Sequence, residues 1–322
     1  MTDPLSIDDI RAAASRIAGH ARVTPCEKSY ALSALTGADV WLKYDSLQVT
    51  GSFKFRGALN TLSQLSDDDK AKGIITASSG NHGMAVSRAS TIVGVQADIY
   101  LASTVSPAKL SAIKALGGNP VLIEGPDASV AEAAGPIAAR EIGKHYISPY
   151  NDPRIIAGQG TCGLEIAEQV PGADAVFVSV GGGGLISGIG LALEACSPGT
   201  ALIGCWPEAS PALKVCMDAG KVVDAKSEPT LSDGTAGNVE PDTITLDLAK
   251  RLISSTALVT EARIAEAMRL VAEHERQIIE GAAGVALAAF LDQADDWTGK
   301  KVVVLLCGRN VAFETWQAAV GL

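Results

Sequence analysis

The chain has 322 residues, 47% of them hydrophobic and 19% charged, and its mean hydropathy is +0.22. This composition fills a large core and excludes intrinsic disorder, and the length predicts about two domains. A net charge of −10 excludes nucleic acid as a partner, because a phosphate backbone demands clustered Lys and Arg.

In chain order, Ser6 followed by Asp9 reads as a variant capping box opening an Ala-rich helix over 7–19. The alternating stretch Val40-Trp41-Leu42-Lys43 predicts a strand, and 53–63 a helix. From about 70 the pattern repeats in style. Strands are predicted at 74–76, 97–101 and 120–123, and helices at 80–91, 107–116 and 128–142. Strands alternating with helices indicate parallel β-α-β units. A second series follows, with strands at 175–180, 202–206 and 302–306 and helices at 243–254, 261–276 and 282–292. Two α/β domains result, the larger built from the first segment and the C-terminal half.

The six cysteines form no CxxC pair and none neighbours His at a metal-ligand spacing. Met1-Thr2-Asp3-Pro4 lacks the basic start and apolar run of a signal peptide. No apolar stretch approaches the ~18 residues of a membrane span. A cytoplasmic protein with no membrane contact is expected.

Four sites carry chemistry. Ser179-Val180-Gly181-Gly182-Gly183-Gly184-Leu185 follows a strand and enters a helix. Such glycines let backbone N–H groups turn toward an anion at the positive end of the helix dipole, making a phosphate cradle. It has neither a Walker Lys nor the G-x-G-x-x-G spacing of a dinucleotide site. Ser78-Ser79-Gly80-Asn81-His82-Gly83 reads either as an ordinary N-cap or as a carboxylate-binding loop at a helix start. Lys54 lies between Phe53 and Phe55. Alone it reads as a solvated lysine, whereas an apolar setting would favour the neutral, nucleophilic amine. Cys307-Gly308-Arg309-Asn310 ends the last apolar strand, where open parallel sheets bind ligands. There Cys307 either packs in the core or faces a heterocycle. A nucleophilic Lys, a phosphate cradle, a carboxylate loop and a polar group at a strand end together describe pyridoxal 5'-phosphate held as a Schiff base.

At these residues the sequence resembles the serine/threonine dehydratase and serine racemase family of fold type II pyridoxal-phosphate enzymes. The match runs nearly the whole length, through Thr24-Pro25, KYDSLQVTGSFKFRGA at 43–58, SSGNHG at 78–83, PYNDPRIIAGQGT at 149–161, VGGGGLISG at 180–188, SDGTAG at 232–237 and CGRN at 307–310. The resemblance implies two open, twisted, mostly parallel sheets flanked by helices, as in the tryptophan synthase β chain. It places residues 1–47 and 148–322 in a large cofactor domain and 48–147 in a small substrate-loop domain. It implies that Lys54 carries the cofactor and acts as base at Cα. By the same resemblance, Phe53 packs beside the ring and Asn81 bonds its hydroxyl. Gly181, Gly182, Gly183, Gly184 and Leu185 hold the phosphate, and Cys307 faces the pyridine nitrogen. Ser78, Ser79, Asn81 and His82 receive the substrate, with Ser79 as a candidate second acid/base.

The implied activity is loss of water from a β-hydroxy amino acid of the serine, threonine, 3-hydroxyaspartate or 3-phenylserine type. An amino-acid racemase is the alternative, and a non-catalytic sensor of amino acid or cofactor a distant one. A homodimer is expected. Relatives with a structural divalent cation carry Glu and Asp where this chain has Trp206 and Ala212, so no metal is expected there. Arg309 replaces the usual second Gly of the strand-end motif and reads either as a surface residue, the favoured reading, or as one that alters the pocket. Glu280 reads either as a group orienting the substrate side of the cofactor or as an acid at a helix N-terminus.

Overall fold

The computed structural model describes residues 5–78, 80–125 and 128–322. Its strands are β1 (Cys26–Lys28), β2 (Asp39–Lys43), β3 (Ile74–Ala77), β4 (Ala97–Ala102), β5 (Asn119–Ile123), β6 (His145–Tyr146), β7 (Ala175–Ser179), β8 (Ala201–Pro207), β9 (Ser255–Val259) and β10 (Lys301–Leu305). They form a six-stranded sheet in the order β1-β2-β10-β7-β8-β9 and a four-stranded sheet in the order β5-β4-β3-β6. Every neighbouring pair is parallel except β1 with β2. This is the α/β fold the alternating pattern predicts.

β7 and β10 lie at the centre of the larger sheet, and their apolar runs are buried on both faces, as a parallel sheet covered by helices requires. Phe177 of β7 meets the edges of Phe290 and Trp297 at ring-centroid distances of 5.5 and 5.7 Å. In the register, Val304 stands beside Phe177 and Leu305 beside Lys43. Cys307 therefore emerges next to the last residue of β7, at the carboxyl edge of the sheet.

The capping box at Ser6 forms as read. The Ser6 amide donates to Asp9 Oδ2 at 2.8 Å and the Asp9 amide to Ser6 Oγ at 3.4 Å, and the helix runs Ile7–Ile17. The predicted strands and helices are present with ends shifted by at most two residues. The smaller sheet has a fourth strand, β6, which is two residues long and carries no readable alternation. The helix Pro153–Gln169, which is mostly buried, has no counterpart among the predicted elements. Gly158, Gly160 and Gly163 obscure it in the sequence, and in the structure they allow close helix crossings. A Cβ at Gly158 would lie 2.5 Å from Gly57 Cα, on the helix Lys54–Leu62, and one at Gly163 would lie 2.9 Å from Ile189 Cα, on the helix Gly184–Cys196.

Beneath the helix Lys54–Leu62 lies a buried ion cluster. Arg56 donates to Asp45 through Nε and Nη2 at 2.9 and 2.8 Å and to Glu165 through Nη1 and Nη2. Lys43 Nζ donates to Glu165 at 2.6 Å and to the Thr24 carbonyl at 2.7 Å. Arg56, Lys43 and Asp45 are almost fully buried, so each charge depends on its partners. Thr24, Lys43, Asp45 and Arg56 all fall in the motif segments quoted above, and together they anchor the helix that begins at Lys54.

No helix among the described residues is long and apolar enough to cross a membrane. All six cysteines are unpaired.

Candidate active site

Lys54 opens its helix at the carboxyl edge of the large sheet. A short antiparallel staple fixes it there. Ser52 bridges Gly308, the Phe53 amide donates to the Cys307 carbonyl at 3.1 Å, and the Arg309 amide donates to the Gly51 carbonyl at 3.0 Å. Gly51 has φ +77°, and a Cβ there would meet Asn310 Oδ1 at 2.5 Å, so the turn needs glycine.

Lys54 Nζ donates to the Pro149 carbonyl at 2.8 Å and stands 5.2 Å from the centre of the Phe53 ring. Burial drives its ammonium down from 10.5 to about 8, because loss of hydration penalises the charged form. The amine is thus far closer to neutrality at physiological pH than an ordinary lysine.

The glycine loop follows β7 directly. Gly183 occupies the N-cap position of the helix Gly184–Cys196 with φ +88°. The first N–H groups of a helix have no partners within it, so they are available to an anion. The loop is held from behind by Thr245 Oγ1, which donates to the Gly182 carbonyl at 2.7 Å. A Cβ on Gly182 would lie 2.5 Å from the Tyr150 ring, and one on Gly181 would lie 3.0 Å from Thr235 Cα.

Asn81 begins the helix Asn81–Val93 after β3. Its amide is fixed on both sides: Nδ2 donates to Glu280 Oε1 at 2.8 Å, and Oδ1 accepts from Asn310 Nδ2 at 2.6 Å. Glu280 also accepts from the Asn310 backbone amide at 2.9 Å. Burial raises the Glu280 carboxyl from 4.5 to about 7, against the opposing pull of its hydrogen bonds to Asn310 and Asn81. Cys307 Sγ lies 3.4 Å from Ser179 Oγ. Burial pushes the Cys307 thiol far above its ordinary range, so it remains neutral.

One cavity gathers Phe53, Lys54, Asn81, the four glycines, Leu185 and Cys307 in its wall, joined by Pro149, Tyr150, Ser179, Thr235 and Glu280. Ser78 lies instead on an adjoining cleft, and its Oγ accepts from the Gly80 amide at 3.2 Å. His82 is absent from both walls. It is buried and shares a hydrogen bond of 3.2 Å with the Ile147 carbonyl through Nε2. A carbonyl can only accept, so Nε2 is the donor, and Nδ1 is a buried acceptor without a partner among the described residues. Burial lowers the His82 imidazole to about 3, so its ring is neutral. Ser79 lies outside the described residues.

Arg309 is exposed and absent from the walls of both cavities, in keeping with the surface reading. Trp206 is fully buried in β8, its ring packed where a Cβ on Gly204 would sit. Pro149, Tyr150, Ser179 and Thr235 line the cavity without a role assigned from the sequence, although each lies inside a quoted motif segment.

These features define a site for a phosphorylated aldehyde. An amine that gives up its proton more readily than an ordinary lysine can form a Schiff base, a glycine loop at a helix N-terminus can hold a phosphate, and between them lie an amide and a neutral thiol suited to the edges of a ring. The glycine loop fits the group well, because any side chain at Gly181 or Gly182 would strike the cavity wall.

Residues 17–308 match the family described as pyridoxal-phosphate dependent enzyme, and the chain belongs to that family. It is 36% identical over 307 residues to the L-threonine ammonia-lyase of Thermotoga maritima, a match covering 95% of this chain and 76% of that one. It is 37% identical over 304 residues to the beta-hydroxyaspartate dehydratase of Paracoccus denitrificans, covering 94% and 96%. The structure of maize serine racemase superposes with a TM-score of 0.90 at 31% identity, covering 98% of this chain and 96% of that one.

Proposed function

We propose that the protein eliminates water from a β-hydroxy amino acid, releasing an enamine that water hydrolyses to a 2-oxo acid and ammonia, with pyridoxal phosphate bound at Lys54. The observation that carries this reading is the pairing of Lys54 with the neutral Cys307–Ser179 couple across one cavity. Likeness to a threonine ammonia-lyase and a β-hydroxyaspartate dehydratase supports it.

When bound, pyridoxal phosphate withdraws electrons from the substrate Cα. The residues around it divide the remaining work. The amides of Gly181 to Leu185 hold the phosphate and the Phe53 ring flanks the site. Asn81 Nδ2 has a second hydrogen, beyond the one given to Glu280, to offer the ring hydroxyl. Cys307 offers the ring nitrogen only a neutral thiol. A carboxylate at that position would keep the nitrogen protonated and favour long-lived charge at Cα, whereas a thiol favours immediate expulsion of the β-hydroxyl. Lys54 Nζ takes the Cα proton as general base. The loop containing Ser78, Ser79 and Asn81 receives the substrate carboxylate at a helix N-terminus.

Ser79 also permits racemisation, which the likeness to maize serine racemase makes the second reading. The reading divides the chain into a cofactor domain of residues 1–47 and 148–322 and a substrate-loop domain of 48–147. The composition of the two sheets supports this division. It also places the protein in the cytoplasm as a homodimer, and the six unpaired cysteines suit a reducing compartment.

The deciding experiment incubates the cofactor-loaded protein with L-serine, L-threonine, 3-hydroxyaspartate and 3-phenylserine and scores 2-oxo acid and D-isomer separately. Oxo acid from at least one substrate is expected. Formation of D-isomer alone would replace the lyase reading with the racemase.

A further inference from the structure

Next to the cofactor cavity lies a cleft of about 900 Å³. The two share a wall: Asn310 lines the cleft and bonds Asn81, which lines the cofactor cavity. Ser78, at the candidate carboxylate loop, also lines the cleft. This cleft is the open space beside the cofactor cavity that a substrate side chain extending from the reacting carbon would meet.

The charges of the cleft are lopsided. Lys109 is the single base among its lining residues, against the acids Glu132, Asp233 and Glu261. Lys109 Nζ already lies 3.8 Å from Asp233 Oδ2, so its charge is offset. Glu261 is held in place by Thr230 Oγ1 and the Leu231 amide at 2.6 and 2.7 Å. Nearby cations are unavailable: His82 is neutral, Lys54 is committed to the cofactor, and Arg309 is absent from the cleft wall. The residues outside the description include no Lys, Arg or His. The rest of the wall is uncharged, a mixture of aliphatic residues such as Leu101, Val105, Ala131 and Val311 with hydroxyl and amide groups such as Thr104 and Asn310.

A second carboxylate on the substrate would therefore enter a space already rich in negative charge, with no uncommitted cation to receive it. We propose that the cleft selects β-hydroxy amino acids with an uncharged side chain and discriminates against dicarboxylic ones. This rests on the lyase reading of the adjoining site and specifies its substrate class. It separates the chain from what the name of its β-hydroxyaspartate-acting relative would suggest, although that relative is as similar as the threonine-acting one.

The test compares kcat/KM of the cofactor-loaded protein for L-threonine and L-threo-3-hydroxyaspartate. A preference of about tenfold or more for threonine is expected, the scale of one like-charge contact near a protein surface. Raising the ionic strength should narrow the ratio, because exposed charges are screened. Asp233→Asn removes one acid and releases Lys109, and should narrow the ratio about threefold through KM for the dicarboxylate. Equal or greater kcat/KM for 3-hydroxyaspartate in the wild type, or a ratio unmoved by both salt and D233N, would overturn the proposal. Binding keeps this separable from the lyase reading. If no hydroxy amino acid yields an oxo acid, the lyase reading fails. The visible-absorbance change on adding L-serine or L-aspartate still reports selection, and L-aspartate binding as tightly as L-serine would defeat it.

Discussion

At the scale of single residues the site depends on two shifted ionisations. With Lys54 at about 8 instead of 10.5, its neutral fraction near pH 7 is roughly 300 times that of an ordinary lysine. Capture of pyridoxal phosphate by the cofactor-free protein should therefore accelerate between pH 7 and 8 and level off above it. Stopped-flow growth of the Schiff-base absorbance measures this, and acceleration continuing to pH 10 would show an unshifted amine. Glu280 shifts the other way, from 4.5 to about 7. Between those values the folded protein keeps a proton that the unfolded chain has lost, so stability falls as pH rises through the window. Glu280→Gln should flatten that slope, whose ceiling is roughly 3 kcal/mol, in denaturant titrations of the cofactor-free protein at several pH values. An unchanged slope would show that Glu280 ionises normally. The sequence marked Lys54, Asn81 and Cys307 because each sits in a motif. Glu280 was ambiguous because its partners, Asn81 and Asn310, are 199 and 30 residues away.

At the scale of elements, two features convert local sequence into the site. The first is the glycine loop between β7 and its helix. Gly182→Ala would drive a methyl group into the Tyr150 ring. We expect a loss of ~1 to 3 kcal/mol in stability, with at least a tenfold weaker grip on pyridoxal phosphate in equilibrium titration, and cofactor affinity that survives unchanged would remove the loop from the binding site. The second is the ion cluster under the helix Lys54–Leu62. Asp45→Ala leaves Arg56 with a buried charge only partly compensated by Glu165, at a cost of ~3 to 5 kcal/mol in chemical unfolding. A change below ~1 kcal/mol would mean that Glu165 alone suffices. Most elements were legible, because the alternation of apolar strands and helical periods survives in single segments. The helix Pro153–Gln169 was not, since its glycines read as breaks until the crossings they permit are seen. β1 and β6, at three and two residues, are too short for a period to show.

At the scale of the whole molecule, the larger sheet draws strands from both ends of the chain, and the smaller sheet is built within 74–146. The sequence conveyed this arrangement in outline. It could not convey that the edge of β10 would be stapled to Gly51–Phe53, or that one base and three acids would share the adjoining cleft, because such groupings arise only on folding. The central claim is that proton removal at Cα by Lys54 leads onward to loss of the β-hydroxyl and not back to an amino acid of either hand. The most direct measurement is turnover of L-threonine or L-serine by the cofactor-loaded protein in deuterated water, followed by mass and chiral analysis. We predict 2-oxo acid and ammonia in equal amounts, with solvent deuterium at the former Cβ and recovered substrate still L and unlabelled at Cα. Recovery of Cα-deuterated amino acid in both hands, without ammonia, would contradict the account.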